Sequence, residues 1–327
     1  MKNLLVTGGA GFIGSHLVDA LVAKGHNVRI VDNFSRGCHA NIAGAMATGQ
    51  VVVAQHNLEN QGLPIWPGDI VFHLAAKVTG IEYNRGHHYD MLMTNLNITS
   101  NVVQSVARGK PDLFVYVSTA CVYPHDAPVP TPESAGDVGN PEPTNHGYGV
   151  AKWVGEQMVL HMMEELKVPC LIVRFFNAFG PRDYYDEATS HVVPALIRRV
   201  MEGENPVTVW GSGNQTRALV DARDIAKALV MLMDEHQQKP EYPFWLPCIF
   251  NIGHEREVSI ADLANAIMDA CGTDAHLLMD KSKPDGYPRR AADSSSLKGR
   301  IGWVPDTPLE VTLADMVAEY REGRARL

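Results

Sequence analysis

The 327-residue sequence lacks three features that would each place it in a particular class of protein. Its five cysteines form no C-x-x-C pair and are odd in number, which argues against a disulfide framework and favours free thiols. No apolar run reaches the ~18 residues of a membrane-spanning helix. The formal charge is −9 and there is no run of Lys or Arg, so neither nucleic acid nor an anionic membrane is an expected partner.

The start of the chain and its length carry further expectations. The first apolar residues are typical of a strand and not of a signal peptide, which together with the composition predicts a soluble, cytoplasmic protein. A chain of this length can bury a sizeable core, in one large domain or two closely joined domains. No cluster of metal-ligating side chains stands out in the sequence, so no metal is expected.

The first 32 residues organise the rest of the chain. An apolar strand runs into a glycine-rich turn, a helix is predicted over 15–24, and a second strand ends at Asp32. Gly8 and Gly11 let the backbone approach a pyrophosphate, Gly14 lets the helix pack closely on the strand, and the helix N-terminus favours negative charge. An acid at the tip of the second strand accepts hydrogen bonds from a ribose 2′-hydroxyl and repels a 2′-phosphate. The segment therefore predicts NAD in preference to NADP.

Strands and helices alternate from there to about residue 175. Apolar runs and helical spacing predict strands at 51–53, 69–74, 113–117 and 170–175, and helices over 90–108 and 148–166. Such alternation predicts a Rossmann-type α/β fold, a doubly wound parallel sheet covered on both faces. We expect residues 1–175 to form an NAD-binding domain and residues 176–327 a smaller α/β substrate-binding domain, with 222–252 packing back on the first. Helices in the second half are predicted near 190–202, 222–234, 259–271 and 309–322.

Tyr148 and Lys152 lie one helical turn apart on the same helix face. A phenol with a pKa of ~10 is a poor base at neutral pH. A positive charge nearby, from Lys152 and from the nicotinamide itself, would stabilise the phenolate and lower that pKa. The preceding strand ends in Ser118 and Thr119, which can supply a hydroxyl to the substrate oxygen being oxidised. Together these residues indicate hydride-transfer chemistry.

The G-x-x-G-x-x-G turn, the strand ending at Thr119 and the Tyr148–Lys152 pair resemble the extended short-chain dehydrogenases/reductases, in particular their NAD-dependent nucleotide-sugar epimerases and dehydratases. The resemblance assigns the hydroxyl role to Thr119, with Ser118 as the alternative. The residues that it implies for holding NAD are Gly8, Gly11, Phe12, Ile13, Gly14, Asp32, Asn33, Leu74, Ala75, Ala76, Tyr148 and Lys152.

The residue two positions after Thr119 distinguishes members of this superfamily. The 4,6-dehydratases typically have an acid there, so Cys121 argues against dehydration. The string 118–124 instead looks like that of GDP-L-fucose synthase and GDP-mannose 3,5-epimerase, in which a cysteine moves a proton on a carbon beside a transient ketone. Residues 190–196 look like the fucose synthase segment with the partner acid/base, which would be His191. A buried apolar role for Cys121 and a helix-start role for His191 stay open.

Further segments extend the resemblance over nearly the whole chain, among them 142–145, 209–217 and, most specifically, 282–286. They imply a nucleotide-diphosphate sugar as substrate, a GDP-sugar by this resemblance, and a homodimer formed through the helices at 90–108 and 148–166. A guanidinium fork suits phosphate oxygens, so two arginines of this set are candidate diphosphate clamps. The residues implied in substrate binding are Ser118, Asn177, Val192, Trp210, Arg217, Lys283 and Arg290, with Arg217 and Arg290 as the clamps.

The sequence thus predicts an NAD-dependent nucleotide-sugar epimerase. Thr119, Tyr148 and Lys152 would conduct a transient oxidation at C4, and Cys121 with His191 would exchange a proton at C3 or C5. Fucose synthases differ in their glycine turn and reduce with NADPH. A net oxidoreductase on the same scaffold, either an epimerase-reductase or a 4-oxidase, is an alternative. A catalytically silent NAD sensor is a further one, which the intact catalytic set disfavours.

We predict that the protein binds NAD more tightly than NADP, because the Asp32 carboxylate would face the 2′-phosphate. Dissociation constants of both cofactors for the wild type and for Asp32→Ala would measure this, and the preference should shrink in the variant. Equal affinities in the wild type would refute the assignment of Asp32.

Overall fold

The computed structural model describes residues 3–186, 190–239, 248–283 and 286–325. Two residues of the predicted substrate loop, Pro284 and Asp285, lie outside this description, as does part of the segment 222–252. The strands are β1 (Asn3–Thr7), β2 (Asn27–Asp32), β3 (Val51–Gln55), β4 (Asp69–His73), β5 (Leu113–Thr119), β6 (Cys170–Phe175), β7 (Ala178–Phe179), β8 (Val207–Trp210), β9 (Thr216–Arg217), β10 (Val220–Asp221), β11 (Ile249–Ile252), β12 (Val258–Ser259), β13 (Leu277–Asp280) and β14 (Arg289–Arg290). The helices are α1 (Phe12–Ala23), α2 (His39–Ala47), α3 (Ile81–Gly86), α4 (His88–Gly109), α5 (His146–Leu166), α6 (Val192–Met201), α7 (Ala222–Gln238), α8 (Ile260–Cys271), α9 (Ser295–Ile301) and α10 (Leu309–Arg321).

Seven strands form one parallel sheet in the order β11-β6-β5-β4-β1-β2-β3. The chain adds β2 and β3 on one side of β1 and then returns to add β4, β5 and β6 on the other. The order therefore reverses between β1 and β4. In open sheets of this kind, ligands bind in the crevice outside the carboxyl ends of the strands at that switch point. The predicted doubly wound α/β fold is confirmed.

Helices cover both faces of the sheet. Successive residues of a strand point to opposite faces, and β1 shows the result. Val6 belongs to the core that contains Leu17 of α1 and Leu229 of α7, whereas Leu5 belongs to the core that contains Val102 of α4. Except for the edge strand β3, which has no buried residue, the strands are largely buried on both faces, which explains why they are nearly continuous apolar runs in the sequence.

A separate apolar core lies in the second half of the chain. It is built from α6, α8 and α10 together with β8, which pairs in parallel with β13. Leu196, Leu263 and Met316 are among its buried residues. Two later elements, β11 and α7, instead belong to the seven-stranded sheet and its helices. Strand β11 pairs with β6, and α7 packs on α1. The domain boundary at residue 175 stays a prediction.

The observed helices differ from the predicted ones mainly in where they begin and end, and some short helices were not predicted at all. Helix α1 begins at Phe12, three residues before the predicted start, because Gly11 is its N-cap and the turn enters the helix directly. The sequence does not predict α2 or α9, since α2 buries only three residues and α9 only Leu297, too few for an apolar period. Among the described residues, no helix is long and apolar enough to cross a membrane.

A buried ion pair fastens α5 to the sheet. Arg174 of β6 donates from Nε and Nη2 to the two carboxylate oxygens of Glu156, at 2.9 and 2.6 Å. Both side chains are almost fully buried. The Ser118 hydroxyl at the end of β5 also donates to Glu156, and Arg174 donates to the Tyr123 hydroxyl at 3.0 Å. The network joins β5, β6 and α5 directly beneath the carboxyl edge of the sheet.

We predict that Glu156→Gln lowers the free energy of unfolding by ~3–5 kcal/mol, because it leaves the Arg174 charge buried without its partner. Urea denaturation monitored by circular dichroism would measure the loss. The control is Glu202→Gln, which removes the partner of Arg198 in a largely exposed pair on α6 and should change stability by less than ~1 kcal/mol. Equal losses in the two variants would contradict the prediction.

Candidate active site

The glycine-rich turn after β1 forms a cradle at the switch point of the sheet. Gly8 has a φ of +71°, and a Cβ there would lie 2.8 Å from the backbone nitrogen of Ala75. A Cβ on Gly14 would collide with the carbonyl oxygen of Gly8. Helix α1 follows with no side-chain cap at Gly11 and no acid in its first turn, so the amides of Phe12 and Ile13 begin a helix whose N-terminus favours an anion.

Asp32 ends β2 beside this cradle. Its Oδ2 accepts a hydrogen bond from the Ala10 nitrogen at 3.0 Å, and its Oδ1 accepts one from the Phe34 nitrogen at 2.8 Å. The carboxylate is thus fixed in place by the glycine turn on one side and by the next loop on the other. The neighbouring Asn33 is exposed and accepts from the Ser35 nitrogen at 3.0 Å.

The residues after β4 line the opposite side of the cradle. The Leu74 nitrogen donates to the Thr7 carbonyl oxygen at 3.1 Å, and the Ala75 nitrogen donates to the Thr7 hydroxyl at 3.3 Å. Leu74, Ala75 and Ala76 are partly exposed here. The glycine cradle, the uncapped helix start and the fixed acid have the features of a dinucleotide-binding site.

Thr119 and Tyr148 come together where β5 meets the start of α5. The Thr119 hydroxyl caps the turn that follows β5, accepting from the Cys121 nitrogen at 3.2 Å. Burial raises the pKa of the Tyr148 phenol, Cys121 raises it further, and the Thr119 hydroxyl acts in the opposite direction. The lowering of this pKa by Lys152 together with the nicotinamide charge stays a prediction.

Lys152 lies one turn further along α5 and is almost fully buried. Its Nζ donates to the Val117 carbonyl oxygen at 2.9 Å and lies 6.0 Å from the centre of the Tyr148 ring. Burial lowers the pKa of Lys152 to about 8, while Glu156 acts to raise it. An ammonium group with such a pKa can exchange protons near neutral pH.

Ser118 is not part of this group. Its side chain points to the opposite face from that of Thr119, is buried, and donates to Glu156. The alternation of side chains along β5 separates the two hydroxyls. The expectation that Ser118 binds substrate, or replaces Thr119, is therefore not supported by its position.

Cys121 lies in a cluster of polar groups that includes Thr119 and Tyr148. Burial raises the pKa of its thiol to about 12, and the charge of Glu142 contributes to that rise. The Glu142 nitrogen donates to the Cys121 carbonyl oxygen at 3.4 Å. Glu142 is buried, and its carboxylate accepts from Asn145 and from Arg290. The candidate clamp Arg290 is thus already paired with a buried acid next to the thiol.

His191 is held by a second buried acid. It is the N-cap of α6, and its Nδ1 lies 3.2 Å from Oδ2 of Asp183. The Asp183 side chain is 2% exposed and the His191 side chain 44% exposed. Asp183 raises the pKa of His191, which burial and Arg36 act to lower. The structure does not bring His191 into contact with Cys121 among the described residues, so their joint role stays a prediction.

Three further predicted substrate residues, Arg217, Lys283 and Trp210, lie in the second half of the chain. Arg217 donates from Nη1 to the carbonyl oxygens of Thr216 and Tyr287, at 2.7 and 2.8 Å, and burial lowers its pKa to about 10. The Lys283 ammonium lies 5.2 Å from the ring centre of the exposed Trp210.

The other two predicted substrate residues are Asn177 and Val192. Asn177 donates from its amide to the carbonyl oxygens of Ala218 and Arg290, at 3.0 and 3.2 Å, and so ties three segments together. Val192 is exposed in the first turn of α6.

Sequence reasoning missed the roles of Glu142 and Asp183 in this site. Glu142 lies in the segment 142–145 that carried part of the resemblance, but nothing in its sequence neighbourhood indicates Arg290 as its partner. Asp183 precedes His191 by eight residues, a separation that matches no regular element. The partners of both acids can be recognised only in the folded structure, because loops that are distant in sequence come together there.

The sheet is doubly wound and has a glycine cradle at its switch point. Thr119 at the end of β5 lies close to Tyr148 and Lys152 of α5. These features together define an extended short-chain dehydrogenase/reductase. The profile of the NAD dependent epimerase/dehydratase family matches residues 4–253. The chain therefore belongs to the NAD-dependent epimerase/dehydratase family and is an enzyme of that family. The resemblance drawn from its motifs is confirmed.

Similar relatives and structures span several reactions. GDP-L-fucose synthase 1 of Arabidopsis thaliana is 32% identical over 97% of this chain and 93% of its own. UDP-N-acetyl-alpha-D-glucosaminuronate decarboxylase of Bacillus cytotoxicus is 32% identical over 98% of each. Among solved structures, UDP-glucuronic acid 4-epimerase from Bacillus cereus, in complex with UDP-glucuronic acid and NAD, has a TM-score of 0.82 at 25% identity, covering 98% of this chain and 99% of that one.

We predict that Asp183→Asn lowers the pKa of the His191 imidazole, because it removes the negative charge that stabilises the imidazolium. An NMR titration of the His191 ring, assigned with the help of His191→Asn, would measure the change. The other histidines are the internal control and should titrate as before. An unchanged or higher pKa for His191 would show that Asp183 does not set its charge.

Proposed function

We propose that the protein is an NAD-dependent epimerase of a nucleotide-diphosphate sugar, and of a GDP-sugar by its similarity to fucose synthases. It would act by transient oxidation at C4 and proton exchange at C3 or C5. The observation that carries the proposal is the position of Cys121, beside Thr119 and Tyr148 and within a cluster of ionisable groups. A cysteine with only a packing role has no need of such neighbours.

The cradle fits NAD on the residues described above. Gly8, Gly11 and Gly14 would leave room for the pyrophosphate, and Asp32 would accept hydrogen bonds from the adenosine ribose. When bound, NAD supplies a hydride acceptor and a positive charge beside Tyr148. Leu74, Ala75 and Ala76, which follow β4 and are partly exposed, would line the cofactor on that side.

The chain's residues at C4 handle the proton of the sugar hydroxyl. Thr119 can hold the C4 oxygen through its hydroxyl, and Tyr148 can take the proton from that oxygen once its phenolate is stabilised. Lys152 lies behind Tyr148, buried and with a pKa of about 8, and is suited to hold the nicotinamide ribose and to replace the proton. Returning the proton and the hydride restores the C4 alcohol, so the overall cycle is redox-neutral.

Cys121 and His191 are the proposed acid/base residues at the neighbouring carbon. A C–H bond next to a ketone is acidic, and two groups on opposite faces of the ring can remove and return its proton. Cys121 is associated with Glu142 and His191 with Asp183. Arg217 and Lys283 are cationic groups that could bind the diphosphate. A homodimer through α4 and α5, which pack against each other in the chain, remains part of the proposal.

A net oxidoreductase of nucleotide sugars is the second candidate. The observation that favours it is the similarity to GDP-L-fucose synthase over nearly the whole chain. Such an enzyme would consume or release one reduced cofactor for each product molecule. Absorbance at the nicotinamide band during turnover of a GDP-sugar separates the two candidates, because the epimerase shows no net change.

We predict that incubation with the substrate in D₂O places deuterium at C3 or C5. Deuterium enters from solvent only when a base removes the carbon proton and an exchanged acid returns one, whereas a hydride carried by the cofactor does not exchange. Cys121→Ser and His191→Asn should each abolish inversion, since each removes the acid/base of one face, while transient oxidation at C4 persists. NMR of the recovered sugar nucleotide would locate the label.

The control for this experiment is His39→Asn, which changes an exposed histidine at the start of α2 and should leave labelling unchanged. Absence of deuterium in the wild type with its true substrate would limit the enzyme to chemistry at C4. Undiminished labelling and inversion in both variants would refute the acid/base pair.

A further inference from the structure

One arginine side chain links the two loops that flank the glycine turn. Strand β1 lies between β4 and β2 in the sheet, so the loops that follow β2 and β4 stand on either side of that turn. Arg36 belongs to the loop after β2, and its Nη1 donates to the carbonyl oxygen of Val78, in the loop after β4, at 2.8 Å. This hydrogen bond therefore spans the carboxyl end of β1, where a bound dinucleotide would lie.

The loop that carries Arg36 is fixed to the glycine turn. The Ala10 carbonyl oxygen accepts hydrogen bonds from the Cys38 nitrogen at 3.1 Å and from the side-chain amide of Asn41 at 3.0 Å. Gly37 packs so closely on the turn that a Cβ there would lie 2.9 Å from the Cβ of Ala10. The backbone of this loop is thus held in place independently of the Arg36 side chain.

The loop that accepts the Arg36 hydrogen bond is fixed as well. Asn95 of α4 is 1% exposed, and its side chain accepts from the Lys77 nitrogen at 2.9 Å and donates to the Lys77 carbonyl oxygen at 3.1 Å. The residue before Val78 is therefore held on α4 through both of its backbone polar groups. A hydrogen bond between two such fixed loops can break by rotation of the Arg36 side chain alone, without movement of either loop.

The Arg36 guanidinium also contacts the segment between β7 and α6. Its Cζ lies 4.4 Å from the ring centre of Tyr184. Tyr184 follows Asp183, whose buried carboxylate accepts from the Tyr184 nitrogen at 2.7 Å and lies beside His191. A cation over an aromatic face is a favourable contact, and it is stronger where water is excluded. Arg36 thus joins the loop after β2 to the segment that holds His191.

Resting on the proposed NAD-dependent function, we propose that Arg36 is a strap across the cofactor site. It closes over the dinucleotide, and its contacts with Val78 and Tyr184 have to break before the dinucleotide can leave. Arg36 is a positioning residue and takes no part in the hydride or proton transfers. Retention suits a redox-neutral cycle, because the same dinucleotide has to return the hydride that it removed. An enzyme that exchanges its cofactor at each turnover would be slowed by such a closure.

The first test measures cofactor release and needs no substrate. The protein is loaded with NADH and mixed with an excess of NAD in a stopped-flow instrument, and the decay of bound-NADH fluorescence gives the dissociation rate. Arg36→Ala removes both contacts and should raise this rate by about tenfold or more, because one hydrogen bond and one cation–π contact no longer oppose release. The association rate should change far less, since the strap closes after binding.

Tyr184 distinguishes a strap from a direct contact between Arg36 and the pyrophosphate. Tyr184→Leu removes the ring and no charge, and it should raise the release rate by about threefold. Tyr184→Phe keeps the ring and should release NADH as the wild type does. The double variant Arg36→Ala/Tyr184→Leu should be no faster than Arg36→Ala, because both changes remove the same contact. An unchanged rate in Tyr184→Leu, or additive effects in the double variant, would overturn the strap, and Tyr184→Leu keeps the test decisive if Arg36→Ala fails to fold.

Arg29 provides the matched control, because it makes the same kinds of contact away from the cofactor site. It donates to the Pro64 carbonyl oxygen at 3.2 Å, and its Cζ lies 4.7 Å from the ring centre of Trp66. Arg29→Ala should leave NADH release unchanged. Release at the wild-type rate in Arg36→Ala, or equal acceleration in Arg29→Ala, contradicts the proposal. Acceleration confined to NADPH would make Arg36 a ligand of the 2′-phosphate and would also overturn it.

The second test connects retention with turnover. The wild type and Arg36→Ala are loaded with NAD, passed through a desalting column and assayed on the sugar nucleotide with no added cofactor. The wild type should stay active, whereas Arg36→Ala should lose activity and regain it when NAD is added. Equal retention of NAD by the two proteins would overturn the strap. A wild type that needs added cofactor, while Arg36→Ala still accelerates NADH release, would instead refute the epimerase proposal and leave the strap standing.

Discussion

The bidentate ion pair between Arg174 and Glu156 is the interaction on which the geometry of the site depends. It joins β6 to α5 in a region with no access to water, where a displaced partner would leave a bare charge. Glu156 lies one helical turn beyond Lys152 and two turns beyond Tyr148, so fixing Glu156 fixes the rotation of the whole helix. The same carboxylate receives the Ser118 hydroxyl. Thr119, the next residue along β5, is thereby presented to Tyr148 on the opposite face.

Two buried acids lie beside ionisable side chains of opposite kinds. Glu142 is near the thiol of Cys121, whose charged form is an anion, and Asp183 is near the imidazole of His191, whose charged form is a cation. A carboxylate has no fixed effect on its neighbour, because the sign of the effect depends on which form of that neighbour is charged. Beside a thiol it favours the neutral form, and beside an imidazole it favours the cation. Glu142 thus contributes to the raised pKa of the Cys121 thiol, whereas Asp183 raises the pKa of the His191 imidazole by stabilising its cation.

The parts of the molecule that could be predicted from the sequence are those whose physics is local. The cradle depends on three glycines within seven residues, and the Tyr148–Lys152 pair depends on one helical turn, so both are visible as spacing. The sheet was predictable because strands buried on both faces are continuous apolar runs. Helices α2 and α9 were not, since each buries too little to create a period.

The surroundings of Cys121 and His191 could not be predicted for a different reason. Arg290 and Glu142 are 148 residues apart and meet only because β14, which pairs with β9, lies next to the loop before α5. The sequence therefore indicated Arg290 as a group available for phosphate, whereas its guanidinium is already engaged. Likewise, the sequence alone does not distinguish the hydroxyl of Ser118 from that of Thr119. The alternation of side chains along β5 decides which of them lies near Tyr148.

The two hydrogen bonds accepted by Asp32 have a consequence for changing the cofactor. The carboxylate also holds two loops in place, because it accepts hydrogen bonds from the backbone nitrogens of Ala10 and Phe34. Replacing it with a small or basic residue to admit a phosphorylated ribose would orphan both donors at once, and Asn, with a single acceptor oxygen, could satisfy only one. Redesign of cofactor choice in this scaffold therefore has to begin with new acceptors for those two amides, supplied from elsewhere, before any positive charge is added.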